Sequence, residues 1–201
     1  MLDREALKRS FSAGTFLFSF TTQVRDLLID FLQVLFKYHD LTAKYRYDDD
    51  IEKTKVLIGS VYPLEERYFP RILVQCDVVS ESRMALGDIG KETSEYFEVI
   101  GRFDYEVGIV ISALEDNIVK DLADLVLLFL ANPLYRKQLT AYGIVFKENE
   151  GYRVSNLTRV NYTQTLSVFE LTIKFGLWAE WIQQFEHKGI TVTGNIIELS
   201  I

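Results

Sequence analysis

The sequence predicts an α+β fold: a mostly antiparallel or mixed β-sheet, two main amphipathic helices packed on one face, and β-hairpin extensions. Three observations predict it. Residues 23–38, "QVRDLLIDFLQVLFKY", set Val24, Leu27, Leu28, Phe31 and Leu35 at helical spacing. In residues 96–112, Phe97, Val99, Phe103, Tyr105, Val107, Ile109 and Ile111 take odd positions, while Glu98, Arg102, Asp104 and Glu106 take even ones. That period of two marks a long strand, or a hairpin bent at Gly101, with one wet face. The element order is arm, helix, strands, helix, strands. Helices do not alternate with single strands, which argues against a doubly wound parallel sheet.

With 201 residues and 48% apolar content, the chain is long enough for one domain with a sizeable core. Residues 1–22 are expected to form an N-terminal arm ahead of a single domain spanning 23–201. Gly14 and the Ser/Thr residues of "SFSAGTFLFSFTT" interrupt any helical period, while Phe16, Phe18 and Phe20 alternate as in a short strand. These three are candidates for contact with a neighbouring subunit. Thr21 or Thr22 is placed to cap the first helix.

The acidic stretch "RYDDDIEK" (46–53) follows the helix. "TKVLIGSVYP" (54–63) reads as a strand ending at Pro63, "LEERYFP" as a loop, and "RILVQCDVV" (71–79) as a second strand. In that strand Ile72, Val74, Cys76 and Val78 are expected to face the core, and Gln75, Asp77 and Glu81 to face out. Residues 80–95 read as a polar connection.

The second helix lies in "SALEDNIVKDLADLVLLFLANP" (112–133). Ser112 and Glu115 suit a capping box, and Asp116 and Asn117 offer a second start. Ile118, Leu122, Leu125 and Phe129 form a stripe. Val126, Leu127, Leu128 and Leu130 widen it, which predicts burial on more than one side. Asn132-Pro133 ends or kinks the helix, and "LYRKQLTAYG" adds a turn or two stopped at Gly143. "IVFKENEGYRV" (144–154) reads as a hairpin turning at Asn149 and Gly151. "NYTQTLSVFELTIKFGLW" (161–178) reads as another long strand carrying Phe169, Leu171, Ile173 and Phe175. The tail, 189–201, reads as a C-terminal hairpin around Gly194-Asn195.

Composition narrows the function classes. A net charge of −7 argues against general nucleic-acid binding, which wants a basic face. A single cysteine, Cys76, precludes an intramolecular disulfide and suits a reducing compartment or a virion; it is expected to be a core residue rather than a nucleophile. No signal peptide is apparent, and the longest apolar run, Leu125 to Ala131, is too short to span a bilayer. A soluble protein without membrane association is expected.

The one cluster that invites a chemical reading is Asp48, Asp49, Asp50 and Glu52. A hard divalent cation needs several carboxylate oxygens converging at about 2.0–2.6 Å. Successive residues of an extended chain point to opposite faces, the calcium-loop pattern is absent, and no glycine lies near enough to make a sharp turn. A solvated edge is therefore the expectation. Glu186-His187-Lys188 supplies the only Glu-x-Lys, in an expected turn. His39 and His187 stand at element ends among charges and are expected to be solvated. No nucleophile elbow, phosphate-binding loop or dinucleotide fingerprint occurs. Trp178 and Trp181, with Phe175 and Phe185, read as an aromatic knot in the core or at a subunit contact. Leu127 and Leu128 are further contact candidates. No catalytic residue, cofactor or metal is expected.

The segment "VGIVISALEDNIVKDLADLVLLFLANPLYRKQLTAYGIVF" (107–146) is a strand entering a helix, then "LTAYGIVF" leading to a short strand. With the helix at 23–38 before it and "YTQTLSVFELTIKF" after it, this order resembles the tail terminator (tail completion, or tail-to-head joining) proteins of tailed bacteriophages. The resemblance covers roughly residues 23–178 and rests on order and pattern, since the family has no short diagnostic motif. It implies a non-enzymatic structural virion protein of the tail and neck, assembled in the host cytoplasm. Six copies would form a ring that caps the tail tube protein, ends its polymerisation and joins a neck, head-completion or connector protein. DNA would pass through the lumen without specific binding, and Asp48, Asp49, Asp50 and Glu52 would line the lumen or face an adjoining ring. Two other readings stand beside it: a metal-dependent hydrolase or nuclease using the Asp48–Glu52 cluster, and a generic adaptor domain.

Overall fold

The computed structural model describes residues 20–62, 68–83, 89–92, 96–141, 144–147, 150–163, 165–186, 191–193 and 196–198; for residues 20, 80–102 and those after 178 it describes the backbone alone. Helix α1 spans Phe20–Tyr38, and a 3-10 helix follows at Asp40–Tyr45. Strands β1 (Leu57–Gly59), β2 (Arg71–Arg83), β3 (Ile89–Glu92) and β4 (Tyr96–Ala113) precede helices α2 (Asp116–Ala131) and α3 (Pro133–Thr140). Then come β5 (Ile144–Phe146), β6 (Tyr152–Val154), β7 (Thr158–Asn161), β8 (Ser167–Glu186), β9 (Thr191–Thr193) and β10 (Ile196–Glu198).

The fold is α+β. β1 to β8 form one mixed sheet in the order β1-β2-β4-β8-β5, with β3 also on β4 and with β6 and β7 also on β8. Only the edge pair β1–β2 is parallel. The spine is β4 against β8, in unbroken register from Ala113↔Phe169 to Tyr96↔Glu186. β9 and β10 make the separate antiparallel pair expected of the tail.

Alternation builds the core on one face of this sheet. Ile72, Val74 and Cys76 of β2 pair across to Ile111, Ile109 and Val107 of β4, and these to Leu171, Ile173 and Phe175 of β8. All are buried. Directly opposed residues of an antiparallel pair share a face, so the rows form one apolar layer. α1 covers it over β1 and β2, and α2 over β4 and β8. The helices meet where the Phe36 ring stands edge-on to Phe129, with centroids 5.7 Å apart. Such aromatic pairs add about 0.5–1.5 kcal/mol beyond area burial. The opposite face carries exposed Gln75, Asp77 and Lys174.

Several local expectations are corrected. α1 begins at Phe20, so Thr21 and Thr22 lie inside its first turn rather than ahead of it. Its buried side also takes in Leu32 and Phe36, both fully enclosed, while Leu27 and Phe31 are half-buried flanks. The 54–63 strand shrinks to Leu57–Gly59. Residues 80–95 are not merely a connection: β2 runs on to Arg83 and β3 pairs with β4. No hairpin bend occurs at Gly101, because β4 is one continuous strand. No capping box forms, since Ser112 belongs to β4 and Glu115 makes no side-chain cap bond. The Asn132-Pro133 break is as expected: the Asn132 side chain accepts from the Leu134 amide at 2.9 Å and opens α3. The 144–154 hairpin is not one. β5 and β6 do not pair with each other; both lie along the edge of β8, β5 at 177–179 and β6 at 173–175. Between them Gly151 adopts φ of 61°, the left-handed region open to glycine. Of the residues that widen the α2 stripe, Val126 and Leu130 are buried and Leu127 is half-buried, while Leu128 is 49% exposed and leaves one side of the helix open.

Candidate functional site

The acidic stretch is a compact turn, and aspartates take the part expected of a glycine. Asp48 Oδ1 accepts from the Asp50 amide at 2.9 Å, and Asp50 Oδ1 accepts from the Glu52 amide at 3.1 Å. A carboxylate that bonds its own backbone two residues on closes a turn without positive φ. Asp50 O then accepts from the Lys53 and Thr54 amides, and Thr54 Oγ1 accepts from the Asp48 amide at 3.1 Å.

Lysines engage the outward oxygens. Lys37 of α1 pairs with Asp49, and Lys53 Nζ lies 2.9 Å from Asp50 Oδ2. The Lys53 ammonium and the Glu52 amide hold the Asp50 carboxyl below its ordinary range. These carboxylates therefore diverge, each toward a partner in the protein. Among the described residues no group of three or more His, Cys, Asp or Glu side chains is placed to hold a metal ion. What the turn presents is negative charge on exposed Asp49, Asp50 and Glu52, anchored to the first helix.

The contact candidates fall in different places. Phe16 and Phe18 lie outside the described residues; Phe20 is the first residue of α1 and its side chain is outside them. Leu127 is half-buried beside the core and Leu128 is 49% exposed on the outer side of α2. Of the expected aromatic knot, only Phe175 and Trp178 have described side chains, and these two do not come together. Phe175 and Trp178 are three apart on a continuous strand and take opposite faces, Phe175 in the core and Trp178 in the row of Asp104 and Val145. The Trp181 and Phe185 side chains are outside the described ones.

His39 is not simply solvated. Its Nδ1 accepts from the Leu41 amide at 3.1 Å, capping the 3-10 helix, and its ring lies 5.1 Å from that of Phe129. His187 lies outside the described residues. Cys76 is buried, and that burial pushes its thiol up to about 12. A thiol this hard to ionise is a poor nucleophile.

Three features lay beyond the sequence pattern. Beyond Cys76, the next residue in the core-facing row of β2 is Val78, which is 48% exposed rather than buried, and neighbouring Val79 is 64% exposed. The β4–β8 pairing runs on past this point to Tyr96 and Glu186. Val34 and Tyr38 on α1 and Leu134 on α3 are exposed apolar side chains that no helical stripe singled out. Finally, Arg71, Ser112 and Glu170 make a cross-strand row on the outer face, with Arg71 only 2% exposed. Arg71 opens a strand and looks like an ordinary surface charge until the pairing is known.

No protein-family model matches the chain, and no curated protein matches it.

Proposed function

We propose that the chain is an assembly protein of a phage tail or neck, a tail terminator whose copies close into a ring on the tail tube and join it to the head. The observation that supports this reading is the length of the β2–β4–β8 ladder. Among the described side chains, the core-facing row is buried as far as Cys76, Tyr105 and Leu177 and is half-exposed at Val78, while backbone pairing continues to Arg83, Tyr96 and Glu186. A long ladder with apolar Val78 and Val79 exposed along it suits burial against a neighbouring subunit.

The acidic turn fits the same reading. Held on α1 by Lys37, it offers a negative surface that would repel DNA passing through a lumen or meet a basic partner. Partners are other copies of the chain, the tube protein and a neck or connector protein. A closed ring follows when head-to-tail contacts complete a rotation.

Size-exclusion chromatography with light scattering, and electron microscopy of the purified protein with and without tail tubes, test it. Rings, alone or on tube ends, are expected. A chain that stays monomeric in both settings and binds Mg²⁺ or Mn²⁺ tightly would overturn it.

A further inference from the structure

The Arg71 guanidinium is enclosed on the outer face at the start of β2. It lies over the Phe69 ring at 4.5 Å and beside the Tyr162 ring at 5.6 Å. Its Nη2 donates a long bond, 3.4 Å, to the Tyr162 hydroxyl, and its Nε and Nη1 have no hydrogen-bond partner among the described residues. The Tyr162 hydroxyl in turn donates to Glu170 Oε2 at 2.6 Å, and Ser112 Oγ donates to the same oxygen at 3.2 Å.

Arg71 and Glu170 thus stand in one row, two strands apart, with one hydroxyl between cation and carboxylate. An unpaired N–H on a buried charge is costly, and a guanidinium is shaped to give a carboxylate two parallel bonds. The present arrangement satisfies Tyr162 and Glu170 at the expense of Arg71. Local rules broken in this way mark strained or functional positions.

We propose that the turn carrying Tyr162 is a releasable strap. When Tyr162 withdraws, Arg71 reaches over Ser112 and closes a forked ion pair with Glu170, which offsets the lost hydroxyl bonds. β7, the four-residue strand that precedes the turn, then leaves β8. Among the described residues β7 is an edge segment paired to β8 alone, with Thr158, Arg159 and Asn161 exposed. Its release uncovers the β8 edge at Ser167–Glu170. This inference does not rest on the tail reading.

The strap and a plain anchor predict opposite signs. If Arg71 merely anchors Tyr162, removing it loosens β7. If Arg71 drives release, removing it tightens β7. Hydrogen exchange of the β7 amides, measured on the full chain and normalised to Val107 and Ile109 of β4, is expected to slow about tenfold in Arg71→Met. Unchanged or faster exchange overturns the proposal. Should Arg71→Met not fold, Arg71→Lys decides by the same sign: it keeps the charge but cannot form the forked pair.

Discussion

Asp48 Oδ1 accepts the backbone amide of Asp50 at 2.9 Å, so a carboxylate that invites a metal-binding reading is spent on closing its own turn. Removing turn carboxylates should therefore weaken the fold. Asp50→Ala loses the bond from the Glu52 amide and the pair with Lys53. Its melting temperature is expected to fall by a few degrees, whereas Asp50→Asn, which keeps an acceptor, recovers most of that. Thermal melts with and without Mg²⁺ check this; a rise on substitution, or a metal-dependent shift lost with Asp50, would favour a cation site instead.

Core and surface leucine-class positions should separate cleanly. Phe36→Ala empties a fully buried site against Phe129 and is expected to cost about 3–5 kcal/mol in urea unfolding. Leu128→Ala, at a half-exposed position, should change the monomer by no more than about 0.5 kcal/mol. If α2's outer side is a subunit contact, Leu128→Glu leaves the melt intact and reduces ring formation in light scattering.

The C-terminal end of α2 depends on one carbonyl. Leu130 O accepts from Tyr152 Oη at 2.7 Å and from Arg136 Nε at 2.8 Å, and Arg136 Nη2 also donates to Tyr152 Oη at 2.9 Å. Helix ends leave such carbonyls without intrahelical partners. Tyr152→Phe is expected to cost about 1 kcal/mol by chemical denaturation. Arg136→Ala should cost at least as much, since it removes the bonds to Leu130 O and Tyr152 Oη and the contact over the Phe146 ring. No loss in either variant would mean solvent replaces these donors.

Alkaline pH should weaken the protein through Cys76. Burial raises the folded thiol to about 12, above its unfolded value near 8.5. A group with a raised folded pKa contributes stability fully below the unfolded value and loses it as pH climbs toward the folded one. Between pH 8 and 10 the wild-type urea midpoint should drop more than that of Cys76→Ala. Parallel curves would show that the thiol ionises equally in both states.

On the acid side, Asp121 carries the opposite sign. The Lys44 ammonium and the Tyr45 hydroxyl, at 2.8 and 2.7 Å from Oδ2, hold its carboxyl below the ordinary range. A depressed folded pKa gives stability present above pH about 4 and lost as pH falls through the folded value. Asp121→Asn should flatten part of the acid limb, and salt should shrink the difference because the pair is exposed. An unaltered limb would assign acid sensitivity to other carboxylates.

Where apolar side chains face the helices, the fold was legible. The alternation of Phe103 to Ile111 and the stripe from Val24 to Leu35 each report one wet and one dry side. Where the sequence lacks an apolar alternation, the signal failed: Ser80 to Arg83 and Ile89 to Glu92 pair with β4, and pairing needs only backbone. Asp48 misled because a side-chain acceptor can make a turn without glycine. IVF and YRV have the composition of strands, but propensity does not name the neighbour, and both pair with β8. Trp178 and Phe175 look adjacent in sequence, yet a period of two parts them. Arg71 gave no sign at all, since its burial depends on Tyr162, which is distant in the chain.

The β4–β8 spine also sets the order of events during synthesis. β4 can find β2 early, but its other edge must wait while both later helices and three short strands are made, until Phe169 meets Ala113 and Glu186 meets Tyr96. Pairings this distant in sequence make loop closure expensive and folding slow. During that interval a long, apolar-faced strand edge is open to any other chain. The nascent chain is thus most adhesive just before β8 emerges, and β8 acts as the closing element that turns an open template into a finished sheet.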